Sequence, residues 1–381
     1  MRASFVFLKA LAVFLGTIIG VGIFGLPFVA SKSGFLIACV YFVLMMLVVI
    51  ATNWLYCKVV LGTESICRLP GYVGIYLSPF WKKFVFGVIF LGLTGSLLAY
   101  MIIGGEFVYF LLSPAFGFGP VFYTLLFFFS GAILVFLDIK FVAGIELFML
   151  AVLLATLALF FTESVPHIDI ANFQPIHLDS WFFPYGVVLF SLWGTAVVPE
   201  MKEMLSHSLG SGKKTERMMK ALIVSGVVIS SLVYLLFVIS VLGASGAGTT
   251  EDAISGLQSV IGSYIIKLGF IFGIFACFTS FLTLGLTLKK VLRYDFLVPK
   301  NLAWVITFSL PILLFFLGMR RFIDIIGFVG AVAIGLEGII LVVLYKEFLK
   351  DKFNKKVNPA VYLLALVFVF GIFFEITRFF W

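Results

Sequence analysis

Two apolar segments of this sequence are interrupted by glycine and proline in a way that could build a binding site. Residues 8–30 contain Gly20-Val21-Gly22-Ile23, residues 183–204 contain Leu192-Trp193-Gly194-Thr195, and a proline follows each interruption. Both residue types weaken a helix. At membrane depth, unwound backbone is tolerated only where it contacts protein, water, an ion or a substrate. Each interruption therefore predicts main-chain amides and carbonyls that are available to a small ligand.

An α-amino acid carries the two charges that such interruptions can bind. After the first break, the outer half-helix would point its N-terminal amides and the positive end of its dipole at the gap, where a carboxylate binds well. The break near Gly194 would offer carbonyls to an ammonium group. The alternative is that these glycines only permit close helix packing. Two matched breaks favour the binding site over that alternative.

Two aromatic residues lie where they could complete this site. Tyr100 falls near the middle of the third apolar segment, where its hydroxyl could hydrogen-bond a carboxylate, and Trp193 could wall a side-chain pocket or close a gate. Ordinary packing competes with both interpretations, because 18% of all residues are aromatic. Position rather than residue type favours the functional interpretation.

Four glutamates within apolar segments are candidates for proton transfer or gating, since ionisable residues at membrane depth are functional hypotheses by default. They are Glu106, Glu146, Glu200 and Glu337. Glu337 lies deep in its segment among glycines, and Glu106 follows two glycines. The other two lie near segment ends, where solvation or pairing with Lys140 or Lys202 is the favoured alternative.

Adjacent hydroxyls in the eighth apolar segment, on Thr279 and Ser280, could help to bind a hard monovalent cation, which needs oxygen ligands. The alternative is that each hydroxyl bonds to the backbone of its own helix. The residues alone support sodium and proton coupling equally. We predict no organic cofactor and no metal site beyond that sodium site.

The elements that must position these residues are membrane helices. Hydrophobic residues make up 63% of the 381 positions and charged residues only 12%, whereas roughly a quarter of a soluble globular chain is charged. We predict an all-α polytopic membrane protein with about eleven transmembrane helices. Their ranges are 8–30, 34–58, 84–112, 120–137, 141–162, 183–204, 218–243, 259–288, 301–318, 322–345 and 359–380. Short interfacial helices are possible near residues 69–72 and 249–258.

The distribution of positive charge predicts the orientation. With the N-terminus in the cytoplasm, 21 of the 26 lysines and arginines fall on the cytoplasmic side, in agreement with the positive-inside rule. An odd number of spans then puts the C-terminus outside. This pattern predicts a multi-pass protein of the cytoplasmic (inner) membrane. Its partners would be an amino acid and membrane lipid rather than nucleic acid, and the oligomeric state stays open.

The two breaks divide the chain into matching halves. Residues 8–162 would form a first repeat and residues 183–345 an inverted second repeat, because the first segment of one half runs outward and that of the other runs inward. Residues 359–380 add one helix. No hydrophilic stretch is long enough for a core of its own, so we predict one transporter domain over residues 1–381.

Competing functional classes lack their motifs. Neither H-E-x-x-H nor G-x-S-x-G occurs, and the histidines lie in predicted loops, which argues against an enzyme. A channel would need a filter-like repeat, and the sequence contains none. The breaks offer no acidic or soft ligand for a transition metal. We therefore predict a secondary active transporter, a cation-coupled symporter that moves an amino acid across the membrane by alternating access. The alternatives are an amino acid exchanger and a channel or sensor-type membrane protein.

Several short motifs resemble those of a known transporter group. The run from Gly16 to Pro27, with its G-x-G-I pattern and following proline, resembles the first helix of the amino acid–polyamine–organocation transporter superfamily. Leu98-Ala99-Tyr100 with Gly104-Gly105, and the run from Ala276 to Leu282, are similar to the third and eighth helices of bacterial tryptophan/tyrosine permeases. The resemblance extends over nearly the whole chain.

This resemblance implies a leucine-transporter-like fold of five plus five helices, with one extra helix at the end. It also implies uptake of an aromatic or hydrophobic amino acid and coupling to a cation gradient. In related sodium-coupled transporters, carbonyls that match those of Gly16, Ile19 and Ala276 complete the ion site beside the two hydroxyls. The chain departs from the permease branch at Lys289 and Lys290, where the branch tends to have acidic residues.

Overall fold

The computed structural model of the chain describes residues 2–65, 67–137, 146–210 and 212–380. Within these ranges it consists of helices and their connections and contains no β-strand. The α-helices are α1 (Arg2–Ile18), α2 (Gly22–Ser33), α3 (Phe35–Gly62), α4 (Leu69–Tyr76), α5 (Pro79–Phe116), α6 (Pro120–Phe136), α7 (Glu146–Ser164), α8 (Pro184–Leu192), α9 (Val198–Leu209), α10 (Lys213–Ser245), α11 (Ser263–Asp295), α12 (Lys300–Phe316), α13 (Phe322–Phe328), α14 (Gly335–Phe353) and α15 (Val361–Phe380). The prediction of an all-α protein is confirmed.

Each of the eleven predicted segments contains helix. By length and hydropathy, six helical stretches of the described chain could span a membrane, and α1 with α2 makes a seventh when the pair is counted as one bent span. Eleven crossings therefore remain a prediction. The predicted short helix near residues 69–72 is α4, whereas the stretch 249–258 contains only a 3₁₀ turn at Ser255–Leu257.

The first predicted break is present and is made by glycine rather than by proline. Helix α1 ends at Ile18, α2 begins at Gly22, and the two axes differ by 55°. Pro27 lies inside α2, beyond the break. The unwound residues are Ile19, Gly20 and Val21, so the chain changes direction where a Cβ is missing.

The second predicted break lies between α8 and α9. Trp193 has an extended backbone (φ −74°, ψ 125°), and residues Thr195–Val197 form one 3₁₀ turn before α9 begins. Pro199 occupies the first turn of α9, where its missing amide hydrogen costs no helical hydrogen bond. The two half-helices are therefore joined by about one extended residue and a tight turn.

The two broken helices cross in direct contact. A Cβ on Gly22 would overlap the hydroxyl of Ser191 in α8 and would lie 3.0 Å from the Cα of Ser191. The close-packing interpretation therefore applies to Gly22, since its missing side chain lets the first span reach the sixth. Packing and binding are compatible here, because this contact brings the two sets of unwound main-chain groups together.

The tenth predicted span contains a π-helical stretch, Val329–Ile334, between α13 and α14. It packs backbone to backbone against α8: a Cβ on Gly330 would overlap the carbonyl of Gly186, and a Cβ on Gly186 would overlap that of Gly327. Stretches of π-helix are rare and occur frequently at functional sites. This one supports the half-helix that ends at the second break.

The extra C-terminal helix, α15, packs on the second break rather than on the periphery alone. Its Phe368 is fully buried and meets the ring of Trp193 edge-on at 6.1 Å. The hydroxyl of Tyr185 in α8 donates to the Val367 carbonyl at 3.0 Å. Helix α15 therefore holds both α8 and the extended residue after it.

Two buried lysines cap helices. Lys202 in α9 donates to the carbonyls of Val60 and Thr63 at 2.7 Å each, at the end of α3. Lys289 in α11 donates to the Val135 carbonyl at 2.7 Å, at the end of α6. Cations suit helix C-termini, where carbonyls lack intrahelical partners. The lysine at position 289, a departure from the permease pattern, thus has a structural role.

Candidate substrate site

The main chain at the first break is bound by a tyrosine from the third span. The Val21 amide donates to the hydroxyl of Tyr100 at 3.2 Å. A Cβ on Gly20 would overlap the same hydroxyl, so the glycine is required for this approach. Tyr100 therefore lies at the break, as predicted, and its hydroxyl accepts the kind of hydrogen bond that a carboxylate would accept.

A second tyrosine, which the sequence interpretation missed, joins both breaks. The hydroxyl of Tyr234 in α10 lies 2.7 Å from the carbonyl oxygen of Ile18 and 2.9 Å from that of Ser191. These carbonyls belong to the last turns of α1 and α8, which a continuous helix would have satisfied internally. The side chain of Tyr234 is completely buried.

The remaining predicted residues at the breaks contribute main chain. The side chains of Val21, Ile23 and Leu192 are buried in the helix packing. A Cβ added at Gly194 would overlap the side chains of Phe14 and Ile18 in α1, so the backbone of Gly194 packs closely on that helix. A ligand at the breaks would therefore contact backbone amides and carbonyls.

A cavity of about 490 Å³ leads from the second break to one side of the molecule. Its inner end is lined by Trp193, Thr195 and Glu337, its walls by the α5 residues Phe86 and Ser96 and by the π-helical stretch, and its mouth by the segment 67–71 with Lys82 and Phe296. Most of these side chains are apolar. The cavity suits a ligand with a flat apolar body and a few polar atoms.

Three predicted residues meet at the inner end of this cavity. The hydroxyl of Thr195 donates to the carboxylate of Glu337 at 2.7 Å, and the indole N–H of Trp193 faces the same carboxylate. Glu337 belongs to α14, directly after the π-helical stretch. Among the predicted glutamates whose side chains the structure describes, it alone lines this cavity.

The opposite side of the molecule is closed by aromatic packing. Phe24 in α2 meets Phe107 of α5 at 5.0 Å and Phe237 of α10 at 6.5 Å, and Phe107 also packs on Phe270 of α11. All four rings are almost fully buried. The breaks are therefore sealed on this side while the cavity opens on the other.

An ionic cluster lies above the aromatic layer. Arg321 pairs with Asp324 at 3.1 Å and with Glu251 at 3.7 Å, and Arg378 of α15 pairs with Asp324 at 3.4 Å. The Glu251 carboxylate also accepts from the Ile323 amide. Burial raises the pKa of Glu251 above its ordinary value, against the lowering effects of that amide and of Arg321.

Some of the residues predicted to bind an ion lie together and others do not. A cavity of about 20 Å³ is lined by Ile19, Ala276 and Ser280, which is room for roughly one water-sized particle. Thr279 instead donates to carbonyls of its own helix, Phe275 at 3.0 Å and Ala276 at 3.2 Å. Gly16 is exposed and does not line this cavity. Part of the predicted ligand set is therefore separated in this conformation.

The other glutamates lie away from the breaks. Glu200 pairs with Arg68 at 3.5 Å and is more than half exposed, so pairing with Lys202 is wrong, since that lysine caps α3 instead. Glu106 lies beside the aromatic layer and within electrostatic range of Asp252. Glu146 starts α7, and its side chain lies outside the described residues.

A bundle of apolar helices with two broken spans in contact, and a cavity that leads from the second break to one side of the molecule, is the architecture of a membrane transporter with the leucine-transporter-like fold. The sequence identifies the group within this class. The chain belongs to the tryptophan/tyrosine permease family, whose sequence profile matches residues 4–378. It is a secondary transporter embedded in the membrane and not an enzyme.

Solved structures of several transporters have the same fold. MhsT in complex with L-phenylalanine has a TM-score of 0.62 and 14% identity, with 97% of each chain covered. Inward-facing Mhp1 has a TM-score of 0.67 and 13% identity over 96% of this chain and 87% of that one. A manganese transporter from Eremococcus coleocola has a TM-score of 0.67 and 13% identity over 97% and 87%. No curated protein sequence matches significantly.

Proposed function

We propose that the protein is a cation-coupled symporter that imports an aromatic amino acid, tryptophan or tyrosine, and binds its α-amino and α-carboxyl groups at the two helix breaks. One observation carries the proposal. The Val21 amide and the carbonyls of Ile18 and Ser191 converge there, and each is bonded to a neutral tyrosine hydroxyl that a charged group can replace. An unwound backbone whose donors and acceptors are held only by neutral hydroxyls suits a zwitterion.

The aromatic ring of the substrate would extend into the cavity beside Trp193. A volume of about 490 Å³ lies within the roughly 300–1,000 Å³ of typical small-molecule pockets. Ring stacking or edge contacts with Trp193 would add about 0.5–1.5 kcal/mol to burial. The fold's occurrence with bound L-phenylalanine in MhsT is consistent with this size of ligand.

Transport would proceed by alternating access. In the proposed orientation, with the N-terminus in the cytoplasm of the inner membrane and the C-terminus outside, the cavity opens to the cytoplasm and the layer of Phe24, Phe107 and Phe237 closes the outside. The two proposed repeats, residues 8–162 and 183–345, would move relative to each other around the breaks, and residues 359–380 would brace the second repeat. After this movement, the outside would be open and the cytoplasmic cavity would be closed.

We favour protons over sodium as the coupling ion. Glu337 is a titratable group at the inner end of the cavity, held by Thr195, and such groups mark proton pathways. A sodium ion in the small cavity near Ser280 would lack Thr279 and Gly16 as ligands, because neither residue lines that cavity. The breaks offer no acidic cluster that would suit a manganese ion.

Uptake by proteoliposomes tests this function. Purified protein is reconstituted, and uptake of a panel of labelled amino acids is followed under a proton gradient, a sodium gradient and no gradient. We expect saturable accumulation of L-tryptophan or L-tyrosine that collapses when a protonophore is added. Equal uptake of small aliphatic amino acids would contradict the aromatic assignment, and accumulation that follows sodium alone would contradict proton coupling.

A further inference from the structure

Tyr234 holds a position between the two breaks that neither packing nor helix geometry requires of a tyrosine. Its hydroxyl lies within 2.9 Å of two carbonyl oxygens that come from different helices, Ile18 at the end of α1 and Ser191 at the end of α8. The residues are 216 and 43 positions apart from it in sequence. Tyr234 is therefore the one described side chain with a hydrogen bond to the carbonyls of both half-helices.

The hydrogen-bond donors and acceptors around the Tyr234 hydroxyl are not equal in number. A phenolic hydroxyl has one proton to donate, whereas the two carbonyls each need a donor. One of them is therefore incompletely satisfied at any moment, in a buried place where an unsatisfied polar group costs roughly 1–3 kcal/mol. An ammonium group has three donors and a positive charge, and it could serve both carbonyls at once.

Tyr100 supplies the complementary half of the pattern. Its hydroxyl accepts from the Val21 amide, as a carboxylate would. Tyr234 thus presents a donor to the two carbonyls and Tyr100 presents an acceptor to the Val21 amide, and an α-amino acid carries a donor and an acceptor at its two ends. At the breaks, neutral hydroxyls therefore occupy positions where the two charged ends of an amino acid could bond.

We propose that the Tyr234 hydroxyl is a stand-in for the substrate ammonium group: it satisfies the carbonyls of Ile18 and Ser191 in the empty carrier and yields at least one of them when an α-amino group binds. This inference rests on the proposed function. It makes Tyr234 a positioning residue that weakens substrate binding, because each ammonium contact must replace an existing hydrogen bond. Without substrate, the carbonyls of Ile18 and Ser191 would then keep a hydrogen-bond donor while the carrier changes conformation.

The opposite expectation follows if Tyr234 is a substrate ligand or a mere brace. If the Tyr234 hydroxyl donates a hydrogen bond to the substrate, its removal should lower the affinity for the substrate. A brace would change the binding of every ligand to a similar degree, whether or not that ligand has an amino group. The sign of the effect and its dependence on the α-amino group therefore separate the three roles.

The test measures binding to the purified full-length protein, by scintillation proximity or calorimetry, with L-tryptophan and with 3-indolepropionate, which lacks only the amino group. In Tyr234→Phe we expect the Kd for L-tryptophan to fall by about three- to tenfold, the equivalent of one released hydrogen bond. The Kd for 3-indolepropionate should stay within about twofold. Tyr123→Phe is the matched control, because the Tyr123 hydroxyl is buried without a partner among the described residues, and it should shift neither value.

Weaker L-tryptophan binding by Tyr234→Phe, or an equal change for both ligands, overturns the inference and leaves the proposed function intact. Absence of L-tryptophan and L-tyrosine binding by the unmodified protein overturns both. If Tyr234→Phe does not fold, 3-fluorotyrosine incorporated at position 234 decides, since it keeps the hydroxyl. Its fluorine resonance should move with L-tryptophan and not with 3-indolepropionate; an identical response to both ligands contradicts the stand-in role.

Discussion

The contact between Gly22 and Ser191 makes a quantitative prediction about transport. In Gly22→Ala, the new Cβ would overlap the Ser191 hydroxyl and lie 3.0 Å from the Cα and Cβ of Ser191. Carbon atoms prefer about 3.5–4.0 Å, so the two broken helices must separate by roughly 0.5–1 Å. Overpacking of this kind costs about 1–3 kcal/mol.

This displacement acts directly on the proposed site, because Val21 and Ser191 carry the amide and carbonyl that the substrate would bind. At about 1.4 kcal/mol for each factor of ten, uptake efficiency (kcat/KM) should fall roughly 5- to 150-fold. Gly22→Leu, whose side chain no small shift can accommodate, should abolish uptake while membrane insertion is retained. Uptake of labelled L-tryptophan by proteoliposomes measures both effects.

Two further variants make the test specific. Ser191→Ala removes the overlapped hydroxyl, which donates to the Val187 carbonyl of its own helix, so Gly22→Ala combined with Ser191→Ala should regain part of the lost uptake. Gly87→Ala adds the same atom to a helical glycine with nothing within 4 Å and should transport normally. Near-normal uptake by Gly22→Ala, or no recovery in the double variant, would refute the argument that this crossing positions the site.

Three other substitutions test separate parts of the account. In Gly330→Ala the new Cβ would overlap the Gly186 carbonyl, and this backbone group cannot rotate away as a side chain could. We therefore expect a lower melting temperature in detergent, and an unchanged melting temperature would contradict this packing argument. Glu337→Gln keeps an acceptor for Thr195 but cannot titrate, so proton-driven accumulation should be lost while counterflow exchange of L-tryptophan continues; persistent accumulation would rule out this proton site. Lys202→Met leaves two helix-end carbonyls unbonded and should cost about 1–3 kcal/mol of stability, seen as a lower melting temperature, whereas Lys346→Met, at a lysine whose side chain is 48% exposed, should melt like the unmodified protein.

The features that the sequence predicted are those with a strong local signal. Apolar runs and clustered glycines mark membrane helices and their breaks without knowledge of the fold, and both breaks lie where they were expected. Tyr100, Trp193 and Thr195 lie at the breaks or in the adjoining cavity because they are close in sequence to those glycines or sit mid-span. Even here the detail differs, since Pro27 is inside a helix and the glycines alone make the first break.

Tyr234 could not be predicted because its partners are distant in sequence. It is one of 13 tyrosines in a chain with 48 phenylalanines, and it lies in an uninterrupted apolar span with no glycine or proline near it. Only the packing of α10 against both broken helices reveals the two carbonyls that it reaches. The π-helical stretch beside α8 was missed for the same reason, since nothing local distinguishes it from α-helix.

Charged residues were misjudged where a helix end was their partner. Glu200 was expected to be solvated or paired with Lys202. It is more than half exposed, but its ion-pair partner is Arg68, and Lys202 reaches the end of α3 instead. The lysine at position 289 similarly binds the end of α6. A sequence lists side chains that can pair, but the free carbonyls at the ends of other helices become visible only when those helices are packed.

A structure of the protein with bound L-tryptophan would test the central claim most directly. We predict that the ligand carboxylate accepts a hydrogen bond from the Val21 amide, that its ammonium lies within hydrogen-bond distance of the Ile18 and Ser191 carbonyls, and that its ring contacts Trp193. A ligand bound with its charged ends away from both breaks, for example in the apolar groove lined by Tyr41 and Phe370, would contradict the account.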